Sequence, residues 1–118
     1  LGRAAAGLRV MMTWKIRYTD QARRDLRNIM EYVSYNLLEP ETAKNLLRRI
    51  TGEIETLDTM PLRYPLFHEE PWRGRGLRFF AVGNYLVFYA PEEQSSTVYI
   101  VRVIYGGRDI QEQLRSEN

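Results

Sequence analysis

Hydrophobic positions follow three successive rhythms along this chain. From Thr13 to Tyr18 they alternate, with Trp14, Ile16 and Tyr18 set against Lys15 and Arg17. That is the period of a short β-strand. Thr19 then offers the hydroxyl of a helix N-cap, and Asp20 puts a carboxylate in the first turn. Ala22, Leu26, Ile29, Met30, Val33 and Leu37 recur at steps of three and four, which predicts one buried helix face. Arg24, Asn28, Glu31 and Tyr35 fall on the opposite, solvated face. The rhythm breaks at Leu38-Glu39-Pro40-Glu41, and Pro40 suits the first position of a second helix. Its apolar stripe is Ala43, Leu46, Leu47, Ile50, Ile54 and Leu57. So short a connection predicts antiparallel neighbours. Gly52 lies across that helix from Ile50, where it costs about 1 kcal/mol relative to Ala. Neutral drift and the close approach of another backbone are the two explanations for it.

Thr59 to Arg75 has no period. Pro61, Pro65 and Pro71 punctuate it, with Tyr64, Phe67 and Trp72 between them. A structureless stretch of this length in a small domain is functional or mobile. Two readings stand, a loop stapled to its own domain by those rings and an arm that grips a partner. The first is preferred.

From Leu77 onward the pattern changes again. Gly83-Asn84 is a two-residue hairpin signal of the type II′ kind. It pairs Val82 with Tyr85, Phe80 with Val87 and Arg78 with Tyr89. One face then carries Arg78, Phe80, Val82, Tyr85, Val87 and Tyr89. The other carries Leu77, Phe79, Ala81, Leu86, Phe88 and Ala90. Thr97 to Tyr105 is also apolar on both sides, interrupted only by Arg102. An antiparallel sheet with one wet face alternates apolar and polar residues, and this one hardly does. Two helices cover one face, and no obvious element remains for the other. Such a patch points to a protein partner. Periodicity leaves open which face meets the helices.

Composition narrows the field by exclusion. The chain has 118 residues and no cysteine, which removes disulfides, thiol catalysis and cysteine–zinc sites and is compatible with a cytoplasmic location. No apolar run reaches the ~20 residues of a membrane span. No metal or cofactor motif is present, so neither is expected. The formal net charge is only +2, but all of the seventeen basic residues except Lys15 and Lys44 are arginine. Arginine's planar fork suits phosphate or carboxylate partners. Residues 1–11 are weakly patterned and are expected to be a disordered extension or expression remnant, leaving residues 12–118 as one domain.

Two segments carry a family resemblance. Leu77 to Tyr85 reads L-R-x-F-x-V-G-x-Y, and Arg102 to Ile110 reads R-V-x-x-G-x-R-D-I. With the order of elements and the proline opening the second helix, they resemble the RelE/ParE toxins of type II toxin–antitoxin systems. The ParE branch, which includes plasmid stabilisation proteins, is the nearer. The resemblance implies an α+β fold: an N-terminal strand, an antiparallel helical hairpin, then a three-stranded antiparallel meander completing one sheet. It also implies that Tyr85, Val87 and Tyr89 face inward, and that a cognate antitoxin protein neutralises the chain and links it to DNA only indirectly. ParE-like members are associated with inhibition of DNA gyrase. RelE-like members cleave mRNA on the ribosome.

Departures from the RelE pattern favour the first branch. Those ribonucleases carry an arginine directly after the third-strand tyrosine, and here that position is Leu86. Their basic pair on the second strand is replaced by Phe79-Phe80-Ala81, with only Arg78 nearby. Their terminal tyrosine or histidine has no counterpart in Gln111 to Leu114. The sole histidine, His68, sits beside Glu69 and Glu70 in the aromatic loop and reads as solvated. Tyr105 as a base would require a strongly lowered pKa. The expectation is therefore a toxin that binds its target, with no catalytic residues of its own. A degenerate ribonuclease and a non-toxic binding module are the alternatives. Target-binding candidates are Arg78, Arg102, Tyr105, Arg108 and Asp109. Antitoxin-binding candidates are Phe79, Leu86, Phe88 and Trp72.

Overall fold

The computed structural model describes residues 13–107 and 109–116. The expected N-terminal extension and Arg108 lie outside the described residues. The elements in chain order are β1 (Lys15–Tyr18), α1 (Asp20–Glu31), a π-helical turn (Tyr32–Asn36), α2 (Pro40–Glu55), a 3-10 turn (Thr56–Asp58), β2 (Arg78–Val82), β3 (Tyr85–Glu92), β4 (Thr97–Tyr105) and α3 (Ile110–Arg115). One sheet runs in the order β1-β4-β3-β2. β1 joins β4 in parallel, from Lys15 opposite Thr97 to Tyr18 opposite Ile100. The other pairings are antiparallel. The first strand thus completes a later meander, as expected.

Thr19 explains where β1 stops. Its Oγ1 accepts from Ala22 N at 3.0 Å, which caps α1. The same hydroxyl donates to Val101 O at 3.0 Å, and Thr19 N donates to Ile100 O at 3.0 Å. Further along, Asp25 Oδ2 accepts from Val103 N at 2.9 Å. Side chains of α1 therefore take over the hydrogen bonding of β4 where β1 has ended.

The helical stripes mostly hold. Ala22, Ile29 and Val33 of the first stripe and Ala43, Ile50, Ile54 and Leu57 of the second are buried, and the two helices pack on each other. Leu37 is the exception at 47% exposed. The π-helical turn closes i→i+5 bonds and so shifts the phase of the stripe before Leu37 is reached. Leu38 follows at φ 56°, and α2 opens on Pro40. A Cβ at Gly52 would meet nothing within 4 Å, so among the described residues no other backbone approaches it. The Asp20–Arg24 and Arg27–Glu31 spacings close no ion pair.

Gly83-Asn84 forms the hairpin in the expected register, with Gly83 at φ 58°. Tyr89, Val87, Val82 and Phe80 face the helices, as the resemblance implied. A bulge sets Phe88 opposite Arg102 and Tyr89 opposite Ile100, leaving Val101 as the extra residue. The inward alternation of Val98 and Ile100 therefore resumes at Val103.

The second face is not bare, which corrects the sequence reading. Phe67, Trp72, Leu77, Phe88 and Ile104 form a separate buried cluster there. The Thr59–Arg75 loop supplies Phe67 and Trp72, and α3 adds the partly buried Ile110 and Leu114. The stapled-loop reading is correct. Phe67 meets Phe88 at 5.2 Å, Phe79 at 5.5 Å and Trp72 at 6.0 Å between ring centroids. Tyr64 stacks on Phe80 at 4.5 Å on the helix side. Phe67 N donates to Leu77 O at 2.7 Å and Phe79 N to Pro65 O at 3.1 Å, so the loop also shields the outer edge of β2.

Candidate functional site

Arg102 is the residue most altered by being seen in three dimensions. Its guanidinium lies beside a carboxylate that the pattern of α1 conceals. Nε donates to Asp25 Oδ2 at 2.8 Å and Nη2 to Oδ1 at 3.1 Å. Nη1 donates to the carbonyls of Gln113 and Ser116 at the end of α3, the latter at 2.8 Å. An unpaired buried guanidinium is prohibitively costly, and Asp25 removes that cost. Arg102 is thus committed inside the chain. Sequence reasoning missed Asp25. The signal was there: it sits between Ala22 and Ile29 on the apolar stripe, a lone charge matching the lone charge of β4.

The other target-binding candidates are scattered. Arg78 Nη1 donates to Tyr64 O at 2.6 Å and Leu62 O at 3.3 Å, which braces the loop. Tyr105 is 50% exposed and meets Tyr85 edge-on at 5.9 Å. Asp109 is exposed, in the left-handed region at φ 56°, and precedes the first turn of α3. The two glycines before it sit close to neighbouring side chains. A Cβ at Gly107 would lie 2.2 Å from the Tyr105 ring, and one at Gly106 would lie 3.1 Å from Leu86 Cγ.

Of the antitoxin-binding candidates, Phe88 and Trp72 are buried by the chain's own loop. Phe79 and Leu86 stay partly open. A cleft of about 620 Å³ runs between the π-helical turn and the β3–β4 end, with Tyr32, Tyr85, Tyr105, Asn28 and Asn84 in its wall. Neither histidine nor lysine lines it. Burial, then the neighbouring Tyr32 and Tyr105, raise the Tyr85 phenol above its ordinary value, so it stays protonated at neutral pH and is no base. His68 is exposed, 3.4 Å from Glu69 Oε2, as a solvated residue would be. Among the described residues no three histidine or acidic side chains gather to hold a metal, and no helix is long and apolar enough to cross a membrane.

The sequence model described as ParE toxin of type II toxin-antitoxin system, parDE, matches residues 16–110. The chain belongs to the ParE toxin family. No curated protein matches it. Its fold is that of solved toxins of the wider RelE/ParE group. A chromosomal ParDE system from P. aeruginosa superposes at TM-score 0.65 with 18% identity, over 80% of this chain and 97% of that one. The RelE toxin of E. coli, a mutant in the free state, gives 0.61 with 10% identity, over 90% and 94%. The toxin–antitoxin complex RelBE2 from Mycobacterium tuberculosis gives 0.55 with 24% identity, over 79% and 98%. Identities this low carry the α+β fold and no residue roles. Within the ParE-family match lie both the Asp25–Arg102 pair and the Tyr85–Tyr105 cleft.

Proposed function

We propose that this ParE-family toxin acts by binding, with DNA gyrase as its target, and is held inactive by a cognate antitoxin in the cytoplasm. One observation carries the reading. The position after Tyr85, where the RelE-like ribonucleases it resembles have an arginine, is Leu86, seated against Gly106 and the second apolar cluster. RNA cleavage by 2′-hydroxyl attack needs a proton acceptor and a cation on the phosphate. A leucine supplies neither, and a Tyr85 phenol raised above its ordinary value is no proton acceptor at neutral pH. Partly open Phe79 and Leu86 favour a protein partner.

Two assays test this, one on the purified toxin and one in cells. Gyrase supercoiling should fall on adding toxin and recover on adding the product of the adjacent antitoxin gene. Primer extension on mRNA from induced cells should show no new codon-dependent ends. Such ends, with gyrase unaffected, would restore the ribonuclease reading. Neither effect, in a chain that still binds the antitoxin, would leave a non-toxic binding module.

A further inference from the structure

A concavity that shares no residue with the Tyr85–Tyr105 cleft lies where the chain enters β1, the outermost strand of the sheet. It measures about 500 Å³ and is lined by Trp14, Met60, Pro61, Leu62, Arg63 and Glu93. Met60 and Leu62 are 61% and 51% exposed, unusual for large apolar side chains placed side by side. Their backing is firm. Trp14 packs against the helix-side core, and Tyr89 Oη donates to Pro61 O at 2.8 Å. The patch is therefore formed before anything meets it.

Its two charges sit on different segments. Trp14 N donates to Asp58 O at 2.8 Å, and the next amide, Lys15 N, donates to Ser96 O at 2.9 Å. Successive N–H groups of an extended chain point to opposite sides. Residues 58–63 and 93–96 thus flank Trp14 from opposite sides, and Arg63 belongs to the first, Glu93 to the second. Arg63 is held in place, with its guanidinium bonded to Thr56 and 4.9 Å from the Tyr64 ring centroid, yet it meets no carboxylate among the described residues. Among the same residues the exposed Glu93 carboxylate has no hydrogen-bond or ion-pair partner.

A patch with an apolar centre, a cation on one side and an anion on the other is complementary to itself. A two-fold axis through its centre sets each charge against its opposite. Nucleic acid and an anionic lipid surface fit worse, since Glu93 repels both and a single arginine attracts them.

We propose that two copies of this chain pair through this patch, apolar centre to apolar centre, with Arg63 of each copy opposite Glu93 of the other. The pairing stands apart from the target and the antitoxin proposed above. Sedimentation equilibrium of the purified toxin from micromolar to millimolar concentration should show a reversible monomer–dimer step that ends at the dimer. Leu62→Glu should melt like the unmodified toxin where both are monomers, yet associate at least about 10-fold more weakly. R63E makes both rims acidic and E93R makes both basic, so each alone should pair poorly. An equimolar mixture of the two should form a mixed dimer, because an acidic rim then faces a basic one. Arg48→Glu, on the exposed side of α2, should pair normally. Since Arg63 also braces Thr56, Leu62→Glu and the mixture decide the outcome. A monomer at every concentration overturns the proposal. So does a dimer indifferent to Leu62→Glu, a mixture no better paired than its components, or equal weakening by Arg48→Glu. Growth beyond the dimer would mean an open head-to-tail contact and overturns it too. A monomeric full chain that pairs only after removal of residues 1–11 would give the patch to the chain's own N-terminal segment, which is a further refutation.

Discussion

Asp25 and Arg102 stand 77 positions apart and share two hydrogen bonds of 2.8 and 3.1 Å in the interior. The pair does more than cancel charge. Asp25 also accepts from the backbone of β4, and Arg102 also holds two terminal carbonyls of α3. Helix, strand and C-terminal helix thus meet at one guanidinium.

Removing one partner leaves the other buried and unmatched. Asp25→Ala should lower unfolding free energy by about 3–5 kcal/mol in denaturant titrations. Replacing both, as Asp25→Leu/Arg102→Met, should recover much of that loss. A double variant as unstable as the single one would show that the backbone contacts matter more than the charges.

The aromatic loop has a sharp internal contrast. Phe67 is 2% exposed and meets four rings, those of Trp72, Phe79, Phe88 and its neighbour His68, whereas the His68 side chain itself is largely in solvent. Phe67→Ala should destabilise by about 3–5 kcal/mol. His68→Ala should stay within about 0.5 kcal/mol of the parent. Thermal melts of the two variants side by side provide the check. Similar melts would mean that the loop is not stapled through Phe67.

Stability should fall in alkali. Burial raises the phenols of Tyr18, Tyr85 and Tyr89 above the ordinary 10.0, with Glu55 adding to the first and Tyr32 and Tyr105 to the second. Above pH 10 the unfolded chain sheds these protons while the folded chain keeps them. The unfolded state then binds fewer protons, so unfolding free energy drops as pH rises. Below pH 10 these groups leave it flat. Urea midpoints followed with phenolate absorbance across that boundary should show the drop begin before the last phenols ionise. A midpoint that stays flat above pH 10 counts against the effect.

Arg108 and Asp109 should separate toxicity from stability. Arg108 lies outside the described residues, and its role as a target contact is our proposal. Asp109 opens α3, and Gln113 N donates to its carbonyl at 2.9 Å. Arg108→Ala should reduce growth inhibition more than melting temperature, and Asp109→Ala should do the reverse. Growth after induction without antitoxin, beside a melting curve for each, tests both. Full toxicity of Arg108→Ala at equal expression would move the working surface elsewhere.

What could be read from the sequence was local. Thr19 as cap, Pro40 as first helical residue and Gly83-Asn84 as turn each depend on neighbours within a few positions, and each is found in place. What escaped depends on distant segments. The π-helical turn displaced Leu37, and no spacing rule announces it. The bulge at Val101 changed which residues of β4 face inward. The cover of the second face came from Phe67 and Trp72 on one side and Ile110 and Leu114 on the other, elements separated by the whole meander. Of the site, the open Tyr105 and partly open Leu86 were legible as residue types. Arg102 was legible only as a charge in need of a partner.

The parallel join of β1 to β4 has a consequence for synthesis. Lys15 to Tyr18 leave the ribosome first among these elements, yet their strand partners are Thr97 to Ile100. An emerging chain must hold an unpaired first strand until β4 has been made. Contacts this distant in sequence form late. A chain cut short before Thr97 has helices but no closed sheet, no partner for Asp25 and no Tyr85–Tyr105 cleft. The buried pair and the cleft therefore come into being together, only once β4 has been made.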